Sequence, residues 1–313
     1  MERKHALNIQ ELKKRLLKNN SNLDITENAD MSKYTSFKAG GKAALLISTG
    51  SVEELELVLE HIADTEVPHM LLGNGSNTLF RDSGYEGAVV KLSDSFSYAC
   101  IDRPGDSDII RAGTSVLLSS LAKTALAYSL TGLEFASGIP GSLGGALFMN
   151  AGAYGGEMKD VVVSVKAISK DGREIKTFAA DELDFGYRYS AFQDNGYIAL
   201  EACLKLGKGD KAEISSVMKE LAAKRNSKQP VQYPSAGSTF KRPEGYFAGK
   251  LIEDAGLKGV AVGGAQVSTL HSGFIINKGG ATATDIIQLI TLVQNRVYDE
   301  FGVMLSPEVR IIG

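Results

Sequence analysis

Residues 137–155 read SGIPGSLGGALFMNAGAYG, and with Gly156 the stretch 138–156 holds seven of the chain's 34 glycines. Glycine loses more backbone entropy on folding than any other residue, so such clustering marks special dihedrals or a close approach of main chain to something else. A smaller cluster, GNGSN at 73–77, follows directly on a short apolar segment at 69–72 that reads as a strand. Where side chains are absent, successive main-chain N–H groups can form an anion site without a lysine. Gly73, Asn74, Gly75, Ser76 and Asn77 in one loop, with Gly138, Ile139, Pro140, Gly141, Ser142, Gly144 and Gly145 in the other, are therefore candidates to wrap a diphosphate from two sides. Ser76, Asn77 and Ser142 add side-chain donors. The alternative reading is that these glycines only serve tight turns.

Two familiar phosphate motifs are excluded by spacing. G-x-G is present at 73–75, but the third glycine of a Rossmann fingerprint is missing and the following TLFRDSGYEG makes no long helix. No G-x-x-x-x-G-K-[ST] occurs, which rules out a P-loop.

Outward from the loops, short strands alternate with helices. The spacing predicts strands at 43–48, 69–72, 88–92, 97–101, 108–112, 161–168, 173–178, 197–206, 260–267 and 273–277, and a final strand through VMLSPEVRII. Helices are predicted at 5–18, at 52–63 behind a Ser51/Glu54 capping box, and at 115–129 closed by Gly132. Further helices are expected at 211–225 with Ile214, Val217, Met218 and Leu221 inward, near 247–255, and at 285–301 stopped by Gly302. Lys170-Asp171-Gly172 reads as a hairpin turn. The class is α+β.

The 313 residues suffice for two or three domains, and a net charge of -3 with no polybasic run argues against nucleic acid and membrane surfaces as partners. No apolar run is long enough to span a bilayer, and the charged N-terminus lacks the apolar core of a signal peptide. Cys100 and Cys203, far apart, form neither a disulfide framework nor a metal site. His5, His61, His69 and His271 are scattered, so no metal is expected. Together these features predict a cytoplasmic protein acting on small molecules, with no obligate protein partner evident.

The chain resembles the UDP-N-acetylenolpyruvoylglucosamine reductase family, within the FAD-binding superfamily of the vanillyl-alcohol oxidase (PCMH) kind. The resemblance is carried by LGNGSNTL at 72–79, SGIPGSLGGA at 137–146 and NAGAYG at 150–155. It continues through FGYRYS at 185–190, AGSTFK at 236–241 and LSPEVRIIG at 305–313, in order from about Tyr34 to the last residue. It implies an FAD-binding half in two subdomains, 1–92 (rejoined by 303–313) and 93–226, and a smaller α+β substrate-binding domain at 227–302. Leu206 runs through only GKGD into the next helix, so the chain resembles the shorter subtype, without the tyrosine-bearing loop that other members carry there.

What the resemblance implies chemically is a flavoenzyme with non-covalent FAD and NADPH as co-substrate. It would reduce the enolpyruvyl ether of UDP-N-acetylglucosamine to UDP-N-acetylmuramate, in peptidoglycan precursor synthesis. Ser238 matches the proton donor, although by itself it reads as a turn serine. Glu308 is implied as catalytic and Arg310 as close to substrate; two apart in a predicted strand, they would share one face, the plain alternative being a surface ion pair. Arg188 matches the arginine holding the substrate carboxylate, where a planar guanidinium binds bidentately. Lys228 and Lys258 match basic positions for the diphosphate and sugar, and Tyr187 and Arg225 are further substrate-binding candidates. Ile139 is placed against the flavin ring, or else is an ordinary apolar loop residue. His271 is left as a structural histidine. Two other functions compete: another FAD-dependent oxidoreductase of the same fold, and a non-enzymatic binder of nucleotide sugars.

Overall fold

The computed structural model describes residues 2–101 and 108–313, with residues 2–6 and Asp94 described by backbone alone. His5 therefore lies outside the described side chains. The chain forms two compact units, one of Met1–Glu27, Leu45–Asn74 and Gly87–Ala223, the other of Asn28–Ala44, Gly75–Glu86 and Lys224–Gly313.

In the first unit, helix Glu2–Asn19 turns Ile9, Leu12 and Leu16 inward and packs on helix Val52–Thr65, whose Leu55, Val58, Leu59 and Ile62 form the complementary stripe. Ser51 caps that second helix by accepting the Glu54 N–H at 3.2 Å. The Glu54 carboxylate reaches back one residue further than the expected box, taking the Gly50 N–H at 2.6 Å. Strand His69–Leu71 then runs parallel to Tyr85–Leu92, pairing His69 with Ala88 and Leu71 with Val90.

A five-stranded antiparallel sheet builds the rest of this unit, in the order Ile175–Ala179, Val162–Ser169, Tyr197–Lys205, Ile109–Gly113, Ala99–Ile101. The turn at 170–172 joins the first two of these strands as expected, with the Gly172 N–H donating to Ser169 O at 2.9 Å. One face of the sheet buries Ile110, Ala112, Val165, Ala167, Ala202 and Leu204 against helices Leu118–Ala127 and Leu143–Met149. Helix Leu118–Ala127 ends earlier than predicted. Tyr128 is its C-cap and Ser129, at φ 56°, takes the left-handed position, so Gly132 does not close it. The helix Lys211–Lys228, which runs into the second unit's residues, also departs from expectation: Ile214 is its buried residue, while Val217 is 43% exposed.

The second unit is built on a three-stranded meander, Ala261–Val262, Ala265–Val267 and Ile275–Asn277, covered by helix Ala283–Phe301. The single strand predicted at 260–267 is thus a hairpin, because Gly263, at φ 51°, turns the chain back. Ile286, Leu289, Ile290, Val293 and Val297 form the buried stripe of the helix. Its C-cap is Gly302 at φ 67°, as expected. Strands Thr78–Phe80 and Arg310–Ile312 pair in parallel.

The final strand is much shorter than predicted. Pro307 has no N–H to give a ladder, and 306–308 pair irregularly with 239–241 instead. Glu308 therefore precedes the strand, and the same-face argument linking it to Arg310 does not hold.

Thr282 and Asp285 form a reciprocal capping box, each side chain accepting the other's N–H at 3.0 Å. Thr282→Ala is expected to lower stability by about 1 kcal/mol, read as a shifted urea midpoint with an unchanged slope.

Candidate functional site

Within the first unit the two glycine loops meet. The Asn74 side-chain amide donates to Pro140 O at 2.8 Å. A Cβ on Gly73 would sit 2.8 Å from Ser142 Oγ, so the absence of a side chain there permits the approach. The 137–145 loop is pinned from behind: Leu118 N–H donates to Gly141 O at 3.0 Å, Leu143 N–H to Val116 O at 2.9 Å and Gly144 N–H to Thr114 O at 2.8 Å. Gly144 and Ile139 spend their N–H groups on Thr114 and Ala136 respectively, and Ile139 packs on the apolar core. By contrast, the N–H groups of Gly138, Gly141, Ser142 and Gly145 donate to no described residue.

The same holds for the main-chain N–H groups of Gly73 and Asn74 in the first unit and of Gly75, Ser76 and Asn77 in the second. Gly75 is the tightest point. At φ +64°, a Cβ would lie 2.0 Å from Tyr34 O, while Gly75 O accepts the Ser36 N–H at 3.0 Å. A run of unspent donors on a glycine turn is what an anionic diphosphate needs, and these loops fit that part of FAD.

In the second unit Ser238 is exposed on a segment held from both sides. Thr239 N–H donates to Gly273 O at 2.8 Å, its hydroxyl accepts Ile275 N–H at 3.0 Å, and its carbonyl accepts Glu308 N–H at 2.8 Å. Ser238 and Glu308 are thereby one residue from being directly paired. Asn77 completes the arrangement: its side-chain amide donates to Glu308 O at 3.1 Å and its carbonyl accepts Arg310 N–H at 3.0 Å. Asn77 thus engages the main chain around Glu308, a role its place in a glycine loop did not suggest.

Arg188, also in the first unit, sits at φ 57° in a turn closed by Gly186 N–H donating to Tyr189 O at 3.1 Å, with its guanidinium 5.0 Å from the centre of the Tyr187 ring. Buried Asn150 supports this turn. Its amide donates to Gly186 O at 3.0 Å and to Glu157 Oε2 at 2.7 Å, and accepts Lys159 N–H at 3.0 Å. Sequence reasoning quoted Asn150 within a motif but gave it no role. Lys91 was missed as well, although a lone lysine in the apolar AVVKL strand was a visible signal.

Arg225 and Lys228 lie in the last turn of the helix Lys211–Lys228, and Lys258 forms an ion pair with Glu253 at 2.6 Å. His271 keeps a structural place: Nδ1 accepts Gly273 N–H at 3.1 Å, the ring packs edge-on to Phe274, and burial lowers its pKa. No helix among the described residues is long and apolar enough to cross a membrane.

Two family models match. One, described as FAD binding domain, covers residues 43–177; the other, described as UDP-N-acetylenolpyruvoylglucosamine reductase, C-terminal domain, covers 229–312. The chain is 51% identical over 283 residues to the UDP-N-acetylenolpyruvoylglucosamine reductase of Alkaliphilus oremlandii (strain OhILAs), covering 90% of this chain and 91% of that one. It is 48% identical over 308 residues to the protein of that name from Clostridioides difficile (strain 630), covering 98% and 99%. The crystal structure of the Thermus caldophilus reductase superposes with a TM-score of 0.78 at 36% identity, over 93% of this chain and 99% of that one. The chain belongs to the UDP-N-acetylenolpyruvoylglucosamine reductase family.

Proposed function

We propose that this chain reduces UDP-N-acetylglucosamine enolpyruvate to UDP-N-acetylmuramate in the cytoplasm, with NADPH as hydride source and FAD held without a covalent bond. In this reading 1–92 with 303–313 and 93–226 form the two FAD-binding subdomains, and 227–302 receives the sugar nucleotide. The main-chain pairing of 239–241 with 306–308, in which Thr239, the residue after Ser238, accepts the Glu308 N–H, supports the assignment.

FAD, when bound, would supply the redox chemistry, as the hydride carrier between NADPH and the terminal vinyl carbon. Negative charge then develops on the neighbouring carbon and its carboxylate. The Arg188 guanidinium would bind that carboxylate bidentately and gain strength as charge builds. Ser238 Oγ–H would deliver the proton to the charged carbon; a serine is a weak acid, but a carbanionic carbon is basic enough to take its proton when the geometry is held. The bonds to Gly273, Ile275 and Glu308 that clamp Thr239 supply that holding for the residue before it. Glu308 would assist charge stabilisation and protonation. Arg310, Lys228, Arg225, Tyr187 and Lys258 would bind diphosphate and sugar, Lys258 exchanging Glu253 for a phosphate.

The purified protein should be yellow, bleach under anaerobic NADPH, and regain its flavin bands when the enolpyruvyl sugar nucleotide is added. Ser238→Ala should leave the bleaching rate unchanged and slow the recovery by about 10²–10⁴-fold in stopped-flow traces. Recovery at the parent rate would instead favour another oxidoreductase of this fold, and a protein that binds no flavin would favour a non-enzymatic binder.

Asn150→Ala leaves Gly186 O with only the Tyr189 N–H at 3.3 Å and takes the amide partner from Glu157 and from the Lys159 N–H. It should cost roughly 1–3 kcal/mol in denaturant titration and raise the KM for the sugar nucleotide.

A further inference from the structure

Strand Tyr85–Leu92 buries Ala88, Val89 and Val90 completely and then presents a half-buried cation, Lys91. An ammonium has three donors. The hydrogen bond Lys91 makes goes to a neutral acceptor, Gly73 O at 3.0 Å. Among the described residues it has no carboxylate partner. A desolvated charge facing only a neutral carbonyl is a cost to the fold by itself, and burial accordingly pushes the Lys91 ammonium below its usual pKa.

The place where this cost is accepted is informative. Gly73 is where the two glycine loops of the first unit touch, against Ser142 and beside the Asn74 bond to Pro140. The Gly73 carbonyl and the Asn74 N–H belong to one peptide group. A cation on the carbonyl oxygen polarises that peptide and makes its N–H a stronger donor, and the Asn74 N–H is one of the unspent donors of the loop. The cation therefore stands behind a donor row built for an anion, on the side away from those donors.

We propose that Lys91 is the fixed counter-charge of the dinucleotide's diphosphate, acting through the Gly73–Asn74 peptide and completing its charge balance only when FAD is bound. The inference rests on the reading that these loops hold FAD. It makes Lys91 a positioning residue for the ligand-binding peptide, one whose charge weakens the empty protein and strengthens the loaded one. A mere brace for the loop would strengthen both.

The test uses the full-length protein, deflavinated, with FAD titrated by quenching of flavin fluorescence at low and high salt, and with melting of the FAD-free form. Lys91→Met and Lys91→Gln should raise the FAD Kd by on the order of tenfold or more and flatten its salt dependence, while Lys91→Arg stays close to the parent. FAD-free Lys91→Met should melt at or above the parent temperature, since an uncompensated charge is gone. An FAD Kd unchanged by Lys91→Met would overturn the proposal. So would a FAD-free melting temperature that falls together with the affinity, because that is the signature of a brace. Gly73→Val is the separate control: if it leaves FAD binding intact, the loop reading itself is wrong, whatever Lys91 does.

Discussion

At residues 73–77 consecutive main-chain N–H groups have no acceptor among the described residues, and more lie unspent at 138, 141, 142 and 145. Donors of this kind are normally matched within a protein, because an unmatched one shielded from water costs about as much as a lost hydrogen bond. Each loop is instead fixed through its other groups. Gly75 turns left-handed against Tyr34, Gly73 approaches Ser142 closely, and the second loop is fastened from behind by Thr114, Val116 and Leu118. What is held in place is backbone, with N–H groups that meet no described acceptor.

Buried and half-buried amides attach the chemistry-bearing turns to this framework. Asn77 joins the 73–77 loop to the segment carrying Glu308 and Arg310, through both its side chain and its carbonyl. Asn150, fully buried, does the same between the NAGAYG stretch and the Arg188 turn, satisfying three partners at once. Such amides do no chemistry, yet a side-chain network in which each member is satisfied specifies one arrangement of the groups it ties together.

Much of the architecture was legible beforehand because it rests on local patterns. The stripes of Val52–Thr65 and Ala283–Phe301, the Ser51 cap, the Gly302 stop and the 170–172 turn are each written within a few residues, and each formed. The misreadings fell where a local pattern allowed more than one outcome or where distant chain competed. Gly132 looked like a helix stop, but Ser129 took the left-handed position first. Val217 looked inward by period, yet lies exposed. The end of the chain looked like one strand until Pro307 and pairing with 239–241 broke it.

The sequence by itself marked two glycine-rich loops as stretches of bare main chain, and its motifs, in order, pointed to its family. It could do so because glycine content and short-range spacing are local properties that need no partner to be read. Only the tertiary structure decided that Asn77 would hold Glu308, that Asn150 would hold the Arg188 turn, and that a lone strand lysine would stand behind Gly73. Those links join residues 231, 36 and 18 positions apart, and no local pattern encodes which distant carbonyl a side-chain donor will meet.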